Sequence, residues 1–501
     1  MLTMELDKIF NNLRIALEVI LCFLVTITLI IICLIPIPFI LIWRQIIAAI
    51  FVVFHNEKYK LVTTEGSFYT AWNSPENVLN IGFLLYLDGH CNIEKIRERI
   101  KEYILRKDTN GLRPNGTFLN AFFEKYQFLC VSDKSSTIDF THHVRLFPGS
   151  EDIDKRYSEK EFLADVAKSL DEGWLEMKPR WEILITPNVI VEDDGKLRTV
   201  LFLKFHHFYA DGISLMQFIR NGIADQPGPS LPFDPVNRPN SKVPLVLRVL
   251  TAIQSFVMEP YIIFKLLRNT ANTFLLEDRI APKLLGMSKM RISTETVRQI
   301  RKHFNCSTEA VYHSAFFGSL QKTAARKGIK VPPNTLAASV RPILPYEDEF
   351  PRNRVYFGYQ MLESELHDPV ERLDKMNTFL RRLVQRHNAL KLMLIGNRLS
   401  GFFPMWVTRF VMKFLKLSYY VSNVPGYQEL LKVHGVVVSE TRGFAPISET
   451  IGVSMAAGYY NELLFVGITA KQSPLICNQD DMEILVSDFE MEINHLEQLI
   501  D

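Results

Sequence analysis

The 501-residue sequence predicts a mixed α/β (α+β) body in two halves, carried behind an N-terminal membrane segment. Three observations lead there. Val19–Trp43 contains no charged residue. Beyond it, short apolar runs ending in turn residues alternate with stretches whose apolar residues recur at helical spacing. Asp225–Pro244, with six prolines and few helix formers, then divides the remainder as a crossover linker.

The membrane segment lies between Glu18 and Arg44. Its 25 residues suffice to cross a hydrocarbon layer of ~30 Å. Pro36 and Pro38 either kink one spanning helix or end it and begin a re-entrant piece, and a second apolar run, Ile46–Phe54, follows. The stretch is too long for a cleaved signal peptide, and no small-residue cleavage site follows it. Lys8 and Arg14 on one side balance Arg44, Lys58 and Lys60 on the other, so basic residues assign no orientation.

The body reads as strands at Val78–Leu87, His142–Phe147, Trp181–Ile190, Arg198–Phe205, Thr335–Val340, Gly435–Ser439 and Leu463–Thr469. Helices are expected after Asn92 and at Glu159–Leu170, Ser293–Phe304, Thr308–Arg326 and Pro369–Leu394. Glu192–Gly195 has the composition of a hairpin turn. Leu245–Leu267 is apolar but interrupted by Arg248, Glu259, Pro260 and Lys265, which fits a surface or membrane-contacting helix better than a second span. The organisation is thus an anchor over 1–58, a first lobe over 59–223, a linker over 224–270 and a second lobe over 271–501.

Composition narrows the function. Hydrophobic residues at 48% and charged residues at 22% exclude a disordered chain, and a net charge of +2 offers no polyanion-binding signal. The six cysteines include no CxxC pair, which argues against a zinc site; Cys91, Cys130, Cys306 and Cys477 are either reduced or paired in two disulfides. Asn115-Gly-Thr and Asn305-Cys-Ser match the glycosylation pattern, which matters only in a lumenal body.

The chemistry sits in Phe205-His206-His207-Phe208-Tyr209-Ala210-Asp211-Gly212, between an apolar strand and the helical pattern Ile213–Ile219. Strand-to-helix loops commonly hold site residues. A hydroxyl is a poor nucleophile because it holds its proton, and an imidazole can accept that proton at neutral pH as the oxygen attacks. Asp211 is near enough to brace the loop, and Gly212 permits backbone angles closed to other residues. Neighbouring histidines on a strand point to opposite faces, so His206 and His207 do not suit one metal ion. No GxSxG elbow supplies a serine nucleophile, and Cys306 lacks activating neighbours.

The pattern HHxxxDG, here His206, His207, Asp211 and Gly212, resembles that of the wax ester synthase/diacylglycerol acyltransferase family, within the wider HxxxD acyltransferases. Pro179-Arg180-Trp181, His143-Val144-Arg145, Ser422-Asn423-Val424-Pro425-Gly426, Arg341-Pro342, Asn353 and Asp368–Leu373 are similar to family elements in order, and the resemblance covers about residues 65–500. The family's Asn-Asp pair is replaced by Glu309-Ala310, and the membrane segment resembles that of the eukaryotic, membrane-bound members.

The resemblance implies two chloramphenicol-acetyltransferase-like lobes with a central tunnel, acyl-CoA as co-substrate without a further cofactor, and a long-chain alcohol or diacylglycerol as acceptor. It implies His207 as general base, Asp211 as a structural salt-bridge residue, and His206 in loop architecture or substrate positioning. Pro179, Trp181 and Gly212 are motif residues, with Asn423 and Ser422 as substrate contacts. It also implies a body at the endoplasmic reticulum membrane, in contact with membrane lipid and not with nucleic acid. The rival reading is a catalytically weak lipid-binding or lipid-transfer protein on the same scaffold.

Overall fold

The computed structural model describes residues 2–55, 58–62, 64, 66–70, 78–152, 155–192, 194–225, 283–287, 292–342, 351–385, 398–413 and 416–500, with seven isolated positions between 246 and 275. The proline-rich linker after Asp225 and the distal part of the helix expected to reach Leu394 lie outside the described residues.

The first lobe is built on a seven-stranded sheet. Its strand Leu197–His206 lies between Asn80–Leu87 and Trp181–Ile190, antiparallel to both. Side chains alternate between the two faces. Phe83, Leu85, Leu201 and Leu203 pack with Ile96, Ile100 and Ile104 of the helix Ile93–Leu105. Leu84, Tyr86, Val200 and Phe202 pack with Phe162, Val166 and Leu170 of the helix Glu159–Asp171. Burial on both faces explains why these strands are rich in apolar residues at successive positions and do not alternate apolar with polar. Asn92 caps the first of these helices, and Ser158 with Glu161 forms a capping box on the second.

The second lobe carries a six-stranded sheet in which Leu417–Asn423 runs parallel to both Asn334–Pro342 and Ile451–Tyr460. The helices Thr308–Arg326, Pro369–Gln385 and Gln479–Gln498 cover one face. Among them, the buried Arg372 donates from Nε to Ser314 O at 2.8 Å and from Nη1 to Leu366 O at 3.2 Å, and pairs with the buried Glu492. A Cβ on Gly318 would fall 2.5 Å from the Arg372 guanidinium, so the close helix crossing there requires glycine.

The sheets do not respect a division at residue 270. Val436–Phe444 pairs antiparallel with Asn80–Leu87, so the second half of the chain completes the sheet of the first. Asp225 accepts hydrogen bonds from the His434 and Gly435 amides at the turn that leads into this strand.

At the N-terminus the prolines end one helix and begin another, giving Leu2–Leu34 and Ile37–His55, where a single bent span had been one of two expectations. Ile37–His55 is long and apolar enough to cross a bilayer. One of its faces packs Ile47 and Phe51 against Phe128 and Cys130 of the hairpin Asn120–Lys125/Phe128–Asp133.

Smaller corrections have local causes. His142 and His143 belong to a helical turn, Phe140–His143, capped by Asp139, and the strand is only Val144–Leu146. Cys91, Cys130, Cys306 and Cys477 are all free. Asn115 is buried and donates to Tyr103 O, so its triplet is not presented for glycosylation. Val246, Leu250, Ile253 and Phe264, within the apolar stretch after the linker, are helical and exposed.

Candidate active site

The motif begins where the central strand of the first sheet ends. His206 is its last residue and stands opposite Asn80; His207 continues the pairing with one bond, from its N–H to Leu79 O at 2.9 Å. The two histidines diverge, as neighbours on a strand must. The buried His206 contacts the Phe122 ring, and its Nδ1 accepts the Phe208 amide at 3.0 Å. That nitrogen is therefore unprotonated, and burial, with Arg180 and His207 nearby, pushes the ring far below the ordinary histidine pKa. Through that bond the His206 ring braces the turn.

His207 points instead into a cavity between the two sheets. Its ring stacks on Tyr69, with centroids 3.9 Å apart and planes 12° from parallel. Burial lowers its pKa to about 4, against a weaker upward pull from its own backbone and Asn353. The ring is thus neutral at neutral pH and able to accept a proton.

Asp211 is buried and fully engaged in positioning. Its Oδ1 accepts the Ser214 amide at 3.0 Å and caps the helix Gly212–Phe218, while Oδ2 accepts the Arg354 amide at 2.8 Å. Backbone amides of both lobes therefore hold the carboxylate. Asn353 completes the clamp: its Nδ2 donates to the carbonyls of His207, at 2.9 Å, and Phe208, at 3.0 Å. A Cβ on Gly212 would sit 2.9 Å from Val424 Cγ2, so here glycine serves close approach between lobes.

Across the cavity lies the end of Leu417–Asn423. Alternation along this strand sends Tyr420 and Ser422 into the cavity, whereas Tyr419 and Val421 join the helical face. Asn423 follows that second set. It does not line the cavity with His207, although its Oδ1 is buried with no hydrogen-bond partner among the described residues. Pro179 and Trp181 also lie away from the cavity. Trp181 is buried, stacks on His143 and donates from Nε1 to Phe118 O at 2.7 Å, which fixes the start of its strand.

The remaining walls, including Leu79, Ile81, Phe83, Val340, Phe357 and Val424, are apolar. The cavity is narrow, about 50 Å³, which is room for a few water molecules. Tyr69 and Asn353 are site residues that sequence reasoning did not single out. Asn353 had one signal, its place in the family order; Tyr69 had none.

Glu309 is buried in the second lobe, where it pairs with Arg341 and accepts a bond from Ser339 Oγ. This ion pair lies away from the cavity lining.

Residues 353–497 match the family model of the WS/DGAT C-terminal domain. Among curated proteins the sequence matches none. Among solved structures the chain is similar to the wax ester synthase/diacylglycerol acyltransferase from Marinobacter aquaeolei VT8, at 14% identity and a TM-score of 0.57, with 88% of this chain and 99% of that one covered. It is similar also to the first condensation domain of the calcium-dependent antibiotic synthetase, at 11% identity and a TM-score of 0.53, covering 88% and 95% of the two chains. A third likeness is to the EpoB cyclization-docking bidomain from Sorangium cellulosum, at 8% identity and a TM-score of 0.51, covering 88% and 84%. At these identities the likeness is one of two-lobed fold. The family match begins at Asn353, the residue that clamps the motif loop, and takes in most of the second lobe.

Proposed function

We propose that the protein is a membrane-bound O-acyltransferase that moves a long acyl chain from coenzyme A to a long-chain alcohol or diacylglycerol. The observation that carries this reading is the neutral His207 ring, which faces an apolar cavity where the central strands of two sheets end. His207 takes the acceptor's hydroxyl proton as the oxygen attacks the thioester carbonyl. The new C–O bond replaces the C–S bond, and the departing thiolate leaves with the proton that His207 returns. Ser422, which lines the same cavity, is assigned as the hydroxyl donor to the developing oxyanion. At rest the cavity admits only the reacting groups, so a long chain requires the apolar walls to part.

Supplying the purified full chain with labelled acyl-CoA and equal amounts of fatty alcohol and diacylglycerol is expected to yield labelled ester, with the product ratio naming the preferred acceptor. Binding of both lipids with no ester formed would favour the lipid-carrier reading instead.

The depressed pKa also sets a pH dependence. Acid protonates His207 and removes the base, so kcat/KM is expected to fall only as pH drops through about 4, and not near the ordinary 6.5. A rate profile across the acidic range checks this; an acid limb near 6.5 would mean a hydrated ring.

A further inference from the structure

The helix Met405–Met412 is amphipathic in the wrong sense for a body surrounded by water. Met405, Thr408 and Met412 face inward, while Trp406 and Phe410 are each 59% exposed and Val411 is exposed beside them. Single exposed apolar residues are ordinary, but a helix that turns its aromatic side outward marks an interaction surface.

Its neighbours point to the occupant. Met405 N–H donates to Gln127 O at 2.7 Å, at the tip of the same hairpin on which Phe51 of Ile37–His55 packs; Phe51 lies 5.9 Å from the ring of Tyr126, the preceding residue. Just before the short helix, Gly401 O accepts Arg44 Nη1 at 2.8 Å, and the Arg44 guanidinium lies 5.0 Å from the Phe402 ring. Arg44 is the one charged residue inside the apolar helix, and it is spent on this joint. The two helices are therefore fastened side by side. The outer face of Ile37–His55 presents Phe39, Trp43 and Phe54, the last 75% exposed. Arg409, held by Glu124 at 2.7 Å, and the exposed Lys413 supply the basic rim that interfacial helices use against phospholipid headgroups.

We propose that Met405–Met412 is seated in the headgroup layer of a phospholipid bilayer, beside the outer face of Ile37–His55, so that the body rests on the membrane through this helix as well. The proposal rests on the membrane-bound reading given above. It also accounts for a helix that is apolar enough to span yet packs along the body: a helix held against the hairpin by Ile47 and Phe51 lies at the surface of the body it anchors.

The full chain in phosphatidylcholine/phosphatidylserine vesicles tests it. The difference in tryptophan emission between the unsubstituted chain and Trp406→Phe isolates one indole. That difference is expected to be blue-shifted, largely lost in vesicles made with brominated phosphatidylcholine, and insensitive to aqueous iodide. Quenching by iodide and not by brominated lipid would overturn the proposal in favour of a solvent-facing helix. Shielding from both would overturn it in favour of a protein cover, such as a second copy. Flotation of the same samples separates the failures. A chain that floats with Trp406 unquenched by lipid defeats the seating alone, and one that does not float defeats both the seating and the membrane-bound reading.

Discussion

Replacement of His207 by alanine is expected to lower kcat for acyl transfer by about 10²–10⁴-fold, the usual contribution of a positioned base. The loop should hold its course without the imidazole, because its carbonyls are bound by Asn353 Nδ2 and its turn by Asp211. His207→Gln, which keeps a planar polar group against Tyr69 but no proton acceptor of comparable basicity, should lose as much activity and less stability. The decisive measurement is the single-turnover rate at saturating acyl-CoA, with the unfolding midpoint taken on the same samples. Alanine and glutamine variants that both turn over at the original rate would remove His207 from the chemistry.

The largest expected loss of stability lies in the second lobe. Arg372 sits between three helices with its donors satisfied by carbonyls, by Ser314, by Gln321 and by Glu492. Truncating one partner of a buried ion pair leaves the other charge uncompensated and costs about 3–5 kcal/mol. Lys322 Nζ, 2.8 Å from the other Glu492 oxygen, offsets part of this, so Arg372→Met is expected to cost about 3 kcal/mol. The double variant with Glu492→Met should lose less than the single one, since it buries no lone charge. Chemical denaturation of the three proteins decides it; a single variant within about 0.5 kcal/mol of the parent would mean that the pair is relaxed by solvent.

Much of this was legible in the sequence for a physical reason. Thr308–Arg326 is read to the residue because Ser307 caps it and its apolar positions keep helical spacing. The strand before His206 shows in the apolar run Val200–Leu203 because both its faces are buried. The motif loop stands out because it places polar residues where such a strand stops. What stayed hidden depends on distance along the chain. Asn353 binds carbonyls 146 and 145 residues away, and nothing local in Arg352-Asn353-Arg354 announces it. Tyr69 meets His207 only through the fold. Asn423 looked like a substrate contact, but strand alternation decides which of Ser422 and Asn423 enters the cavity, and that register was not readable from the five-residue motif. Val355–Glu363, Leu417–Asn423 and Ile451–Tyr460 were missed as strands, since glycine and serine dilute their apolar pattern.

The strand Val436–Phe444, lent across to Asn80–Leu87, has a consequence for biosynthesis. A ribosome delivers the first half of the chain long before residue 444, and until then one edge of its sheet lacks its neighbour and leaves backbone amides and carbonyls unmatched. Neither half can therefore close until residue 444 has been made, and a polypeptide cut short before it would be an aggregation hazard in both halves.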